Sequence, residues 1–164
     1  MKYLIATIFI LCCLGGCESG TGPTAPKLGP YASYTIKAIT LTKIPLKDLS
    51  GGEWDVNGAP DIYFKFKDYL SNDIYNGDSL DQADISVPDG LPVVWVLSSP
   101  LTITEDYIPI NLEFFDKDSF DDEKMGTVNF RRPDLEKDWT YPKSVKISDS
   151  TTQTEVTFSL TWNK

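Results

Sequence analysis

The segment Val156-Thr-Phe-Ser-Leu-Thr-Trp162, near the end of the chain, alternates large apolar side chains with threonine and serine. A period of two places the apolar side chains on one face of a β-strand and the polar ones on the other. The segments at 62–67 and 108–114 alternate in the same way. All three are therefore predicted to be strands that bury one face.

Five further strands are predicted from shorter apolar runs, at 34–44, 83–87, 93–97, 126–130 and 144–148. The first of them changes parity between Ala38 and Ile39, which favours a β-bulge. Clusters of Gly, Pro, Asn and Asp separate the strands, and no long window has helical spacing. The sequence predicts an all-β fold, an eight-stranded antiparallel β-sandwich.

The first residues have the pattern of an export signal. Lys2 supplies a positive charge, residues 4–14 form an apolar run too short to cross a bilayer, and two glycines precede Cys17. Leu14-Gly-Gly-Cys17 resembles the lipobox of bacterial lipoproteins, in which cleavage leaves a lipid-modified cysteine. The resemblance implies a signal peptide at 1–16, lipidation of Cys17 and a location in the cell envelope, with the outer membrane expected. An ordinary signal peptide with an incidental cysteine is the alternative.

Composition narrows the possible functions. The chain has 164 residues, no histidine and a net charge of −9, and loss of residues 1–16 would make that charge −10. A strongly acidic protein is repelled by nucleic acid. Without histidine, the common nucleophilic triads and imidazole zinc sites are excluded. A hydrolase that uses two carboxylates is the third alternative, but the sequence shows no such pairing of acids, so no enzyme is expected. Residues 18–33 have the Gly, Pro, Ser and Thr content of a tether, which leaves one domain at 34–164.

Two loops concentrate acidic residues, at 53–61 and 116–126. Crowded carboxylates repel one another, and a shared hard cation relieves that repulsion. Calcium suits such loops because it accepts about 6–8 oxygen ligands at irregular angles. An EF-hand does not match, because Asp121 stands where that loop requires glycine. Solvated polar turns are the alternative. A third acidic segment, at 68–89, is predicted to be a solvated insertion.

Three motifs together resemble the calcium-binding C2 domain: Asp55-x-x-Gly58-x-x-Asp61-x-Tyr63, then Leu91-Pro-Val-Val-Trp95, then Phe114-Phe-Asp116-x-Asp118 followed by acids and Gly126. The resemblance spans about residues 34–162 and implies a sandwich whose first and third top loops share calcium. The implied ligands are Asp55, Asp61, Asp116, Asp118 and, as the fifth, Asp122 or Glu123, with Asp122 preferred. The sequence departs from the family at Ile62, where proline is usual. It also lacks the basic strand that binds phosphoinositides in some members, although Lys65 and Lys67 are present.

The resemblance predicts a lipid-anchored module that binds lipid or another partner in a calcium-dependent way. Trp54 and Phe120 lie within the two loops, where apolar tips enter the bilayer in membrane-docking members; the alternative is that they fold back onto the sandwich. An adhesion or carbohydrate-binding sandwich is the competing function. It would require Trp54, Trp95 or Trp139 to contact a glycan.

Overall fold

The computed structural model describes residues 30–45, 47, 51–52, 54, 60–77, 83–84, 90–104, 108–118 and 121–164, without the side chains of 83–84. Within these residues there are nine strands and one short helix. They are β1 (Ser33–Lys43), β2 (Asp61–Lys67), β3 (Asp73–Asn76), β4 (Ala83–Asp84), β5 (Val93–Ile103), β6 (Ile110–Asp116), β7 (Glu123–Phe130), α1 (Arg132–Glu136), β8 (Ser144–Asp149) and β9 (Thr154–Asn163).

The strands form two antiparallel sheets. One has the order β5-β1-β9-β8, and the other has the order β3-β2-β6-β7. The two-residue strand β4 pairs with Asp61 and Ile62 of β2, whereas β3 pairs with the opposite end of the same strand. Because β6 occupies the other edge of β2, β3 and β4 share one position. The two sheets therefore have eight strand positions, and the predicted antiparallel sandwich is confirmed.

The core lies between the sheets and follows the alternation seen in the sequence. On β9, Val156, Phe158 and Leu160 are buried, while the intervening Thr157 and Ser159 are not. The ring of Phe158 lies 6.3 Å from that of Phe66 on β2 and 4.7 Å from that of Phe130 on β7, measured between centroids. Aromatic contacts across the interior thus join the two sheets.

A bulge interrupts β1 close to the predicted change of parity. The pairing of β1 with β5 and with β9 shifts register between Ile36 and Ala38. Ile36 and Ile39 are both fully buried, although three positions separate them, and Lys37 is exposed. The extra residue lets one strand keep its apolar side chains in the core on both sides of the bulge.

Three parts of the chain differ from the sequence-based expectations. Residues 73–76, placed in a solvated insertion, form the edge strand β3, which buries part of Tyr75 against the core. The five-residue helix α1 was not predicted, because it is too short to show helical periodicity. Residues 31–33, assigned to the tether, belong to the fold: the N–H of Ala32 donates to the carbonyl of Asn163 at 2.8 Å.

The sandwich has two distinct ends. At one end β2 begins and β6 stops, so that Ile62 pairs with Asp116; we call this end the carboxylate rim, after Asp61, Asp116, Asp118 and Asp122. The opposite end holds the start of β1, the turn at 68–72, α1 and the turn at 137–141; we call it the N-terminal end.

Among the described residues, no helix has the length and the apolar composition that a membrane-spanning segment requires.

Candidate functional site

The carboxylate rim brings together acids that lie 55 positions apart in the sequence. The backbone N–H of Asp61 donates to Oδ1 of Asp116 at 3.0 Å. The N–H of Lys117 in turn donates to the carbonyl of Asp61 at 3.0 Å. The hydrophobic alternation fixes this juxtaposition, because it sets the register in which Phe64 pairs with Phe114 and Ile62 with Asp116.

Asp116 is the deepest acid of the rim. It continues the inward-facing row of Leu112 and Phe114 on β6, and its exposed fraction is 1%. Keeping a carboxylate so deeply buried is costly unless other groups stabilise its charge. The N–H of Asp61 is one such group. A cation at the rim would be another.

Asp122 connects the second acidic loop to strand β2. Oδ1 of Asp122 accepts the N–H of Asp118 at 3.2 Å, and Oδ2 accepts the hydroxyl proton of Tyr63 at 2.6 Å. Tyr63 lies two residues after Asp61 on β2, so both side chains leave the same face of the strand. The hydroxyl of Tyr63 therefore positions Asp122, a role that its place in the sequence motif did not reveal.

The two candidates for the fifth carboxylate have different surroundings. Glu123 is the first residue of β7, where its backbone pairs with that of Asp116, and its side chain is exposed. Asp122 precedes the strand and is held by Asp118 and Tyr63. The contacts of Asp122 place it next to Asp118, and the preference for Asp122 over Glu123 as the fifth ligand stays a prediction.

Asp55, Phe120, Cys17 and the signal segment lie outside the described residues, so the ligand set is described only in part. Among the described residues, no three acidic, histidine or cysteine side chains are grouped closely enough to hold a metal ion. The donor chemistry nevertheless fits calcium, because every rim candidate offers carboxylate oxygen. Asp61, Asp116, Asp118 and Asp122 share one end of the fold, and a closed site would need Asp55 or a rearrangement of their side chains.

The tryptophans considered as surface contacts have three different environments. Trp54 is half-buried, packs against the core and donates from Nε1 to the carbonyl of Pro45 at 3.0 Å. This corresponds to the alternative in which Trp54 folds back onto the sandwich. Trp95 is only 4% exposed and contacts Phe64 and Phe114, so it offers no surface for the glycan contact that the competing function considered. Trp139 is 53% exposed.

The two lysines of β2 are paired with acids on the outer face of their sheet. Lys67 lies 3.0 Å from Glu113, and Lys124 lies 2.8 Å from the other oxygen of Glu113. Nζ of Lys65 lies 5.4 Å from the ring centroid of Phe115 and within 3.7 Å of Asp73. Charge pairing and aromatic contact occupy this surface, so it does not present an unbalanced basic patch.

The ion pairs of Glu113 predict a loss of stability in acid. Burial opposes ionisation, but the hydrogen bonds and charges of Lys124 and Lys67 outweigh it and lower the pKa of Glu113. A lowered folded-state pKa gives stability that is present above the unfolded pKa of about 4.3 and is lost as pH falls through the folded value. We expect Glu113→Gln to melt below the wild type at neutral pH, with a difference that narrows in acid below about pH 4.

Thermal melts across this range check the prediction. Asp138→Asn is the matched control: it removes one exposed negative charge, and asparagine tolerates the backbone φ of 57° found there. A constant difference between Glu113→Gln and the wild type at every pH would contradict the role given to ionised Glu113.

Comparisons with known proteins find similarity only at the level of structure. No family model and no curated protein sequence matches the chain. A solved C2 domain is 13% identical and has a TM-score of 0.44, with 80% of this chain and 98% of that chain covered. A C2 domain protein from Ramazzottius varieornatus is 11% identical and has a TM-score of 0.45, with coverage of 82% and 90%.

A structure of two C2 domains of extended synaptotagmin 2 is also similar, at 11% identity and a TM-score of 0.44. The alignment covers 98% of this chain and 48% of that one, so the chain spans about half the length of that structure. C2 domains, which the sequence motifs resemble, are thus among the solved structures that are similar to this chain.

Proposed function

We propose that the protein is a lipid-anchored lipoprotein of the bacterial envelope whose sandwich binds calcium at the carboxylate rim and uses the ion to bind a lipid or another partner. The observation that carries this proposal is the hydrogen bond from Asp61 to Asp116, which joins two acidic loops at one end of the fold. Asp55, Asp61, Asp116, Asp118 and Asp122 are the proposed ligands.

Electrostatics supports a cation at this position. The chain is acidic overall, and four aspartates from two loops lie at the same end of the fold. Their mutual repulsion is unfavourable in the absence of a counter-charge, and a divalent ion shared among their oxygens would offset it. Calcium tolerates the irregular geometry of loops. Outside the cytoplasm a dissociation constant of about 10⁻⁴–10⁻³ M is typical of such modules.

The bonds to Asp122 are compatible with metal binding. A carboxylate has about four acceptor positions, and the N–H of Asp118 and the hydroxyl of Tyr63 use two of them. These donors would fix the plane of the carboxylate and leave the other lone pairs for an ion. Tyr63 and the backbone of Asp118 are accordingly proposed as positioning groups, and neither is proposed as a ligand through these atoms.

The proposed anchor at Cys17 limits the role that calcium would have in membrane attachment. A covalent multi-acyl anchor holds a protein at its membrane without assistance. Calcium-dependent binding would then orient the domain or connect it to a second surface. No catalytic activity is proposed.

Thermal unfolding in three solutions tests the calcium proposal. We expect a higher melting temperature in millimolar calcium than in chelator, and little change in magnesium, which requires tighter octahedral geometry. Calcium at a hundred times its dissociation constant stabilises the folded state by about 2.7 kcal/mol, or several degrees for a domain of this size. Equal melting in calcium and chelator, or equal shifts with calcium and magnesium, would contradict the proposal.

A further inference from the structure

Three large apolar side chains at the N-terminal end are exposed to solvent. Tyr69 is 57% exposed, Leu70 is 63% exposed and Trp139 is 53% exposed. Tyr69 and Leu70 form the turn between β2 and β3, and Trp139 lies between α1 and β8. Val94 and Val96 on β5 are also strongly exposed, but Tyr69, Leu70 and Trp139 belong to two turns at one end, where a single flat surface would remove all three from water.

Hydrogen bonds hold both turns in place. Oδ1 of Asp68 accepts hydrogen bonds from the N–H groups of Leu70 and Asn72, each at 2.8 Å. These bonds fix the backbone of the turn that carries the exposed side chains of Tyr69 and Leu70. In the other turn, the hydroxyl of Thr140 donates to the carbonyl of Lys137 at 2.8 Å, beside Trp139. The exposed apolar groups therefore project from well-bonded turns.

The two turns stand at opposite corners of the same end. The Tyr69–Leu70 turn belongs to the side where β3 lies beside β5, as the contact of Tyr75 with Ser98 shows. Trp139 belongs to the other side, where β7 lies beside β8. The chain enters the fold at this end as well, where Tyr31 packs on Tyr141 and its carbonyl accepts a hydrogen bond from Arg132.

We propose that the N-terminal end stands on the membrane that carries the lipid anchor, with Tyr69, Leu70 and Trp139 in the interfacial layer. This inference rests on the proposed lipidation of Cys17. Thirteen peptide units separate Cys17 from Pro30, so the two are at most about 45 Å apart in any conformation. The anchor thus keeps this end near the lipid, and tyrosine and tryptophan favour the depth at which apolar chains meet headgroups.

The proposed orientation decides where calcium would act. The strands run from the N-terminal end to the carboxylate rim, and a strand of ten residues such as β9 spans about 30 Å. A domain standing on Tyr69, Leu70 and Trp139 holds Asp61 and Asp116 that far from its own membrane. The carboxylate rim would then bind a partner on the side of the domain that faces away from the anchored membrane.

The attachment would be apolar, because the charges at this end are mixed: Asp68 and Asp138 lie near the exposed side chains, and so do the exposed Arg131 and Lys137. Zwitterionic lipids have no net charge, so binding to them reports the apolar contact without attraction or repulsion between net charges. Vesicles of phosphatidylethanolamine and phosphatidylcholine are therefore the appropriate surface for a test. The contact should persist in chelator, since no rim residue takes part in it.

Single cysteines labelled with an environment-sensitive fluorophore test the orientation in the full-length lipidated protein, reconstituted in such vesicles. The added cysteine would be the only free thiol, since Cys12 and Cys13 leave with the signal and Cys17 is acylated. The test positions are Leu70→Cys and Trp139→Cys. The controls are Val96→Cys, an exposed apolar position in mid-strand, and Ser150→Cys in the turn at the carboxylate-rim end.

We expect a shift to shorter wavelength, and quenching by doxyl-labelled phosphatidylcholine, at Leu70→Cys and Trp139→Cys with chelator present. Val96→Cys and Ser150→Cys should show neither effect. Equal signals at all four positions, or a stronger signal at Ser150→Cys, would overturn the orientation while leaving the anchor intact. Intact mass reports lipidation separately, and a mass without acyl chains would overturn both the anchor and this inference.

Discussion

Replacing Arg132 with alanine should lower the free energy of unfolding by about 3–5 kcal/mol, the range found when one partner of a buried ion pair is removed. Arg132 is 3% exposed, and its Nε lies 2.7 Å from Glu136. Its Nη2 also donates to the carbonyl of Tyr31. Without the guanidinium, a largely buried carboxylate and a backbone carbonyl both lose their donor. Equilibrium unfolding in urea measures the change.

Arg131→Ala is the matched control for Arg132→Ala. It removes the same charge from the neighbouring residue, whose side chain is exposed, and it keeps the backbone N–H that donates to Asp134 at 2.7 Å. Exposed substitutions of this kind usually change stability by about 0.5 kcal/mol or less. Similar losses in the two variants would show that charge, and not the buried contact with Glu136 and Tyr31, determines the effect.

Truncation of Phe158 should have a comparable effect for a different reason. Phe158 is fully buried at the centre of β9 and contacts Phe66 and Phe130 across the sandwich. Phe158→Ala leaves a cavity between the sheets, and losses of about 3–5 kcal/mol are typical of such changes. Thr157→Ala, on the opposite face of the same strand, should cost about 1 kcal/mol or less. Urea unfolding measures both variants, and equal losses at 157 and 158 would contradict the assigned parity of β9.

The sandwich was predictable because its core residues alternate over long segments. Phe64, Leu112 and Phe158 each belong to a run with a period of two, and all three are buried. The bulge at Lys37 was also visible, since it reverses the parity of the apolar residues within one strand. In these segments the local pattern and the tertiary burial agree.

Short or atypical elements were not predictable from periodicity. The strand β3 contributes only Tyr75 to the core, so its four residues have no apolar alternation. The helix α1 has five residues, fewer than two turns, and its Arg132 is buried by a contact with Tyr31 from the other end of the chain. The helix depends on a neighbour that is distant in sequence, whereas β3 pairs with the nearby β2 and is too short to show a period.

The candidate site was predictable at the level of loops and less so at the level of side chains. The shared rim of Asp61 and Asp116 follows from the register of β2 with β6. The hydrogen bond from Tyr63 to Asp122 does not follow from that register, because it depends on how the second loop turns after β6.

Calcium binding measured at equilibrium on four variants tests the central claim most directly. The variants are Asp61→Asn and Asp116→Asn, one from each acidic loop, their double mutant, and Asp138→Asn as a charge-matched control at the N-terminal end. We predict that each rim variant loses most of the affinity, that the double mutant loses little more than either single variant, and that Asp138→Asn binds like the wild type. Wild-type affinity in Asp61→Asn and Asp116→Asn would show that the acids of the two loops do not hold a common ion.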